Sequence, residues 1–273
     1  MRGTARLLAC LLPAFLAGAW ALPGRAGARC SPEVVRRDEG PRLAAFTAGS
    51  KKKAKVFTIQ WFGHSAFQVI SPGGTRIFTD PFGNGIGLPV PQAQPHAVTI
   101  GREHPHHNSV WVLQGNPQVI RGLREEGMEW AEVRRTVGDV LIYNVPVTQR
   151  TFEVRTKGSA FVFEAGGLCI AHLGDVAEPF TASQLRRLGK VHVAMVPIGG
   201  TFTVDAKGAL EIVRQLQPHI AIPMHYWDDG ERLGRFLAGF REVRRAEQGE
   251  LIVSRENLPK PTVAVVMGRK GVE

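Results

Sequence analysis

From Val56 onward, short apolar runs of strand length follow one another between turn signals: "VFTIQWF", "AFQVI", "TRIFTD", "HAVTI", "PQVIRG", "VLIYNV", "AFVFEA", "LCIAHL" and "VHVAMVPI". Gly73-Gly74, Gly115-Asn116-Pro117 and Gly166-Gly167 supply hairpin or loop breaks between them. Helical periodicity comes late. "TASQLRRLG" offers Thr181 or Ser183 as a cap and Gly189 as a stop, and "VDAKGALEIVRQLQP" places Ala206, Leu210, Val213 and Leu216 on one stripe before Pro218. "DGERLGRFLAGFREVRRA" repeats the same spacing and predicts a third helix. Many strands early, then strand–helix alternation, predict an α/β sandwich of two sheets with helices outside.

The segment before Val56 changes this picture. Residues 1–21 read as a secretory signal peptide: Arg2 and Arg6 form a basic start, Leu7 to Ala17 an apolar run, and Ala19-Trp20-Ala21 a cleavage site. The run is shorter than the roughly 20 residues of a membrane span, so export is expected, to a periplasmic or extracellular location, with no stable membrane insertion after cleavage. Ala26-Gly27-Ala28 is a second small-residue site. Residues 22–55 are polar, basic and rich in Gly, Pro and Ser, which predicts a flexible lead before a single domain over 56–273.

The chain of 273 residues carries a formal charge of +10, which falls to about +8 when Arg2 and Arg6 leave with the signal. Its only compact basic run, Lys51-Lys52-Lys53, lies in the lead and reads as a solvated linker. Without stacking aromatics beside it, no nucleic-acid partner is expected. Cys30 and Cys169 remain after cleavage. An oxidising compartment could join them, but a tail thiol and a strand thiol suggest two separate cysteines, one loose and one packed.

Four places carry chemistry. "VTIGREHPHHNSV" breaks a buried strand at Gly101 and sets His104, His106 and His107 on the loop beyond it. Neutral imidazole is the commonest nitrogen ligand for zinc, and a helical turn there would bring His104 and His107 together. "CIAHLGDVAEP" places Asp175 just past a strand end, where a carboxylate can bind a cation. "HIAIPMHYW" ends a strand at His225, and "WFGHSAFQV" puts His64 in the first hairpin, where it is expected to support the ligands from behind.

Taken in order, "WFGHSAF", "FTDPF", "HPHHN", "IAHLGD", "VPIGGTFTVDAKGA" and "IPMHY" resemble the metallo-β-lactamase superfamily, in the branch of L-ascorbate-6-phosphate lactonase and N-acyl-phosphatidylethanolamine-hydrolysing phospholipase D. The resemblance implies a four-layer αββα sandwich with metals held by loops along one sheet edge. It also exposes a departure. The family loop reads H-x-H-x-D-H, whereas here Arg102 stands at the first His and His106 at the Asp. A further family His, expected after "VLIYNV", is replaced by Thr148 or Gln149. One family metal site thus keeps only His104, while the other keeps competent residues at all four positions: His106, His107, Asp175 and His225.

The resulting expectation is a metal-dependent hydrolase with one ion, zinc by preference with iron or manganese as fits, attacking an ester, lactone or phosphodiester through metal-bound hydroxide. His104, His106, His107, Asp175 and His225 are the expected ligands, and His107 and Asp175 the catalytic pair. Arg102 would either hold an anionic group of a small-molecule substrate or pair with Asp175 or Glu103. The alternative is a relative that keeps the fold as a binding or structural module, because a cation beside a metal repels it. β-Lactam hydrolysis does not follow from the family name, since one fold hosts many activities.

Overall fold

The structure, a computed structural model, describes residues 30–31, 56–152, 154–227, 230–246 and 248–270. The expected signal peptide, and the lead apart from Cys30 and Ser31, lie outside the described residues. The chain first lays down β1 (Phe57–Gly63), β2 (Ala66–Ile70), β3 (Arg76–Thr79), β4 (Ala97–Ile100) and β5 (Gln118–Arg121), followed by a small hairpin of β6 (Leu123–Arg124) and β7 (Glu129–Trp130). It then builds β8 (Arg134–Val137), β9 (Val140–Thr151), β10 (Val154–Ala165) and β11 (Leu168–His172). Alternation follows: α1 (Ala182–Leu188), β12 (Val193–Pro197), α2 (Ala206–Leu216), β13 (Ile220–Met224), α3 (Gly230–Leu237) and β14 (Val243–Ala246). β15 (Glu250–Val253) returns to the first sheet, and β16 (Val263–Met267) joins the second.

Two large sheets result, ordered β15-β1-β2-β3-β4-β5 and β14-β16-β13-β12-β11-β10-β9-β8. This is the expected α/β sandwich. Phe57, Ile59, Phe67 and Ile77 of the first sheet pack with Phe161, Phe163, Ile170, Met195 and Ile222 of the second, so the main core lies between the sheets. The second sheet's outer face is covered by helices through Leu188, Ala209, Ile212 and Phe236. On the first sheet's outer face, Phe62, Phe78, Val98 and Ile100 pack with Phe82, Ile86 and Leu113 from loops rather than from an α-helix.

The strands β11, β12, β13 and β16 are buried along their whole length and apolar apart from His172 at the end of β11. Their neighbours in this stretch run parallel, as strands covered on both faces do. Parallel strands bring their C-terminal ends to one edge, and ligand sites in such sheets form outside those ends.

The helices differ from expectation in detail. α1 starts at Thr181 in a capping box with Gln184, and α2 starts at Asp205, whose carboxylate accepts from the Gly208 N–H at 2.8 Å. The α2 face that is fully buried is Ala206, Ala209, Ile212 and Val213, with Leu210 and Leu216 at its margin. The third helix is shorter than its periodicity predicts. It ends at Leu237, and Val243–Ala246 pairs with β16 as an edge strand. At Gly239 a Cβ would come within 2.3 Å of Leu210, so glycine is what fits where the chain passes α2.

The cysteine expectation is overturned. Cys30 and Cys169 form a disulfide, with Cα atoms 5.7 Å apart, and Cys30 is buried against the second sheet's helical side. Its carbonyl accepts from Lys190 N at 2.7 Å, its N–H donates to Glu164, and Ser31 donates to the Arg186 carbonyl. Sequence distance concealed this pairing, since 139 residues separate the two thiols.

Candidate metal centre

Five loops meet at the edge formed by the strand ends. His64 follows β1, Asp80 follows β3, Gly101 to His107 follow β4, Asp175 follows β11, and His225 follows β13. Three of these residues adopt positive φ without being glycine: His64 at 51°, Asp80 at 40° and His225 at 57°. Such backbone costs on the order of 1 kcal/mol or more per residue and gathers at functional sites, where neighbours hold it in place. The neighbours here are visible. His225 N donates to the His64 carbonyl at 3.1 Å, which also accepts from Trp61 Nε1 at 3.2 Å. Gly199 lets the chain approach His225 closely, since a Cβ there would lie 2.8 Å from its Nδ1 and 2.5 Å from its carbonyl oxygen.

The imidazoles of His64, His107 and His225 converge, each offering a ring nitrogen within 4.8 Å of the others. Asp175 adjoins them and is wholly buried: its Oδ2 lies 3.1 Å from His107 Nε2 and its Oδ1 3.5 Å from His225 Nε2. On the far side of the His107 ring, Nδ1 meets Asp80 Oδ2 at 3.2 Å, while Asp80 Oδ1 accepts from Gly101 N at 2.7 Å. A carboxylate behind an imidazole fixes the tautomer that leaves Nε2 facing the centre.

Electrostatics fit a cation at this point. Burial, together with the neighbouring His225 and His107, holds His64 well below its ordinary value, and burial likewise lowers His225 despite Asp175. Both are therefore neutral donors. Burial alone would raise Asp175, but His107, His225 and Arg102 draw it well below the carboxylate range. Burial would lower His107, yet Asp175 and Asp80 raise it to about 9, so in the absence of an ion this imidazole carries the charge. His64 Nδ1 and Asp175 Oδ1 are buried and without a hydrogen-bond partner among the described residues. Buried polar atoms rarely stay unpaired without a reason, and a metal ion would satisfy both.

The sequence-derived ligand set is thus redrawn. His107, Asp175 and His225 meet as expected. His64, placed behind the ligands by sequence reasoning, stands among them. His104 and His106 lie outside the group of converging histidines. The turn starting at His104, whose carbonyl accepts from His107 N and Asn108 N, carries His107 inward and leaves His104 exposed. The His104 ring instead turns onto its own loop, Nδ1 accepting from His106 N at 3.2 Å. Asp80 was missed altogether, although "FTDPF" displays it just past a strand end, the same placement that singled out Asp175.

Arg102 pairs with Asp175, as one of its two expected roles required. Its Nη1 lies 2.7 Å from Asp175 Oδ2, and its Nη2 donates to the Arg150 carbonyl at 3.2 Å and to Thr151 Oγ1 at 2.9 Å. The guanidinium also lies over the Phe202 ring, 5.7 Å from its centroid. Glu103 pairs instead with Arg121. Gln149, which with Thr148 stands where the family histidine is absent, is fully buried and donates to the Gly101 carbonyl at 2.9 Å.

Comparison with known proteins agrees with this geometry. Residues 58–225 match the family described as the Beta-lactamase superfamily domain. A UPF0173 metal-dependent hydrolase of Myxococcus xanthus is 31% identical over 242 residues, covering 79% of this chain and 85% of the relative. Another from Anaeromyxobacter sp. (strain K) is 28% identical over 234 residues, covering 70% of this chain and 85% of its own. Among solved structures, a candidate Zn-dependent hydrolase of the metallo-beta-lactamase superfamily from Thermotoga maritima superposes with a TM-score of 0.61 at 30% identity, covering 78% of this chain and 98% of that one.

Proposed function

The chain belongs to the beta-lactamase superfamily and is a metal-dependent hydrolase, and from that premise we propose an exported enzyme that works with a single metal ion on an ester, lactone or phosphodiester. The observation that carries the single ion is Arg102. Its guanidinium is held by one hydrogen bond to Asp175 and two more to the Arg150 carbonyl and Thr151, so a fixed cation of the protein occupies the side of the centre where a second ion would need ligands. Beside the same Asp175, His64, His107 and His225 converge, so the centre offers three nitrogens and a carboxylate, a donor set suited to zinc.

His64, His107, His225 and Asp175 would hold an ion there, which would supply Lewis acidity and lower the pKa of water. The remaining work falls to the chain. Asp80 holds His107 in one tautomer, Asp175 balances positive charge among the histidines, and Arg102 keeps Asp175 ionised and aimed. Esters, lactones and phosphodiesters share an electrophilic atom that water attacks and an oxygen leaving group, which this arrangement serves.

Export is supported by the N-terminal basic and apolar pattern and by the Cys30–Cys169 disulfide, a bond that persists in oxidising compartments. Among the described residues no helix is long and apolar enough to cross a membrane. The test is metal content by plasma mass spectrometry of chain 22–273, purified without chelators and dialysed against limiting zinc. One zinc per chain, lost in His225→Ala, is the expected result. Two per chain would overturn the role given to Arg102.

A further inference from the structure

His172 is a polar side chain in a place that calls for a hydrocarbon. Leu168 and Ile170 of β11 pack in the core between the sheets, and by the two-residue period of a strand His172 takes the next position on that inner face. It is fully buried, with its ring edge on Phe67 at a centroid distance of 6.0 Å. Burial holds its pKa below the ordinary value in spite of Asp80, so the imidazole is neutral and has a single N–H. Its Nε2 lies 2.9 Å from the Ser65 carbonyl oxygen, which can only accept, so Nε2 carries that proton. The bare Nδ1 is buried without a hydrogen-bond partner among the described residues.

The Ser65 carbonyl does not need this donor, because Thr79 Oγ1 also donates to it, at 3.0 Å. A hydrocarbon at position 172 would leave that carbonyl paired and would spare the interior an unsatisfied nitrogen. What the histidine adds is a strut from the second sheet to the first, across 107 residues, onto the turn that carries His64. That turn has to be held, since His64 sits at φ 51°. The His107 ring is fixed from behind by Asp80, whereas His64 Nδ1 has no partner among the described residues, so the aim of His64 is set by its backbone. Two successive carbonyls are pinned there: that of His64 by Trp61 Nε1 and His225 N, and that of Ser65 by Thr79 and His172.

We propose that His172 is a positioning residue of the hydrolase: its Nε2–H fixes the Ser65 carbonyl and so aims the His64 ring before an ion arrives. The inference rests on the reading of His64, His107, His225 and Asp175 as the metal centre. His172 touches neither ion nor substrate and acts through the turn. A ligand already in place binds without the cost of being ordered, and its precision depends on the groups that support it. Loosening the turn therefore lowers metal affinity through His64 alone.

The experiment is a mutant cycle in zinc affinity on the disulfide-intact chain 22–273, measured by chelator competition, with the visible spectrum of the cobalt-substituted protein as the report on ligand geometry. His172→Phe should lower zinc affinity about 10-fold, the lower end of the loss for a residue that orients a ligand, because it acts on the turn and not on the ring. The cobalt bands should shift with it. His172→Gln, whose amide N–H reaches toward Ser65, should restore most of both, and the shorter His172→Asn should not. His64→Ala is the reference: adding His172→Phe to it should cause no further loss. Far-UV circular dichroism and the urea midpoint identify a variant that does not fold, and if His172→Phe is one, the comparison of Gln with Asn carries the test.

Three results would overturn the positioning role: unchanged zinc affinity in folded His172→Phe, equal affinities of the Gln and Asn variants, or losses that add in full to that of His64→Ala. The unaltered protein and His64→Ala report on the metal centre independently. Zinc binding that depends on His64 but not on His172 sinks this inference alone. No zinc bound, or zinc bound equally well by His64→Ala, sinks the ligand reading of His64 and the inference with it.

Discussion

The two sides of the metal centre are built on opposite principles. On one side, His64, His107 and His225 arrive on three separate loops, two of them in strained backbone, and His64 Nδ1 and Asp175 Oδ1 are left unpaired in the interior. On the other, Arg102 and Gln149 fill the space with side chains whose donors reach Asp175, Thr151 and the carbonyls of Gly101 and Arg150. The first side keeps its polar atoms available at a cost in stability, and the second commits the Arg102 guanidinium and the Gln149 amide N–H to internal bonds. On the proposed one-ion reading, a family site is half retained: the protein's own cation takes over electrostatic work that a second ion would do.

The largest test of this contrast converts the closed side into the open kind. Arg102→His combined with Gln149→His should raise zinc from one to two per chain in plasma mass spectrometry. A stoichiometry that stays at one would mean that the surrounding loops, not the two side chains, exclude the second ion. Removing only the cation should expose the contribution of the pair. Arg102→Met should destabilise the metal-free protein by about 2 to 3 kcal/mol in urea unfolding, somewhat below the usual loss for a broken buried pair because His107 still faces Asp175. Added zinc should reverse that loss, since its charge replaces the missing one.

A gentler change tests the open side. Asp80→Asn keeps the shape behind His107 but removes the carboxylate, and zinc affinity measured by chelator competition should fall about 10- to 100-fold. An unchanged affinity would make the Asp80–His107 contact ornamental. The smallest effect is expected away from the centre. His192 is lowered to about 4, by burial first and then by Lys190, His219 and Arg255. Its unfolded value is near 6.5, so the unfolded chain takes up the proton first, and stability should drop as pH falls from about 6.5 to about 4 and level off below. His192 is buried, its Nδ1 accepting from Cys169 N at 3.0 Å, and His192→Asn should flatten that part of the pH profile in urea unfolding.

Sequence made the scaffold legible wherever an element declares itself locally. The apolar strands β11, β12 and β13, the turns at Gly101 and Gly174, and the caps of α1 and α2 are written in adjacent residues, and with them the loops that present His107, Asp175 and His225. What it concealed depends on tertiary approach. The Val243–Ala246 segment has helical spacing but pairs with β16, a partner about 20 residues further along the chain. His64 looked like a hairpin residue until its backbone, turned to positive φ and tied to His225, aimed its ring into the centre. His104 and His106 had the right chemistry and neighbourhood, but only one imidazole of that short turn faces inward. Asp80 sits at a strand end that the sequence displays, but its partner His107 is 27 residues away, and the partner of Arg102 is 73 residues away, so the contacts themselves are not written locally.

The Cys30–Cys169 bond also bears on how the protein must be made and handled. Any maturation cut has to fall before residue 30, and both small-residue sites, ending at Ala21 and Ala28, do so. Material from a reducing cytoplasm and material from an oxidising compartment would be covalently different molecules, one an open chain and the other a ring closed across 139 positions. A preparation's redox history is accordingly part of its identity, and an activity screen carried out on the open form samples a different protein from the bridged one.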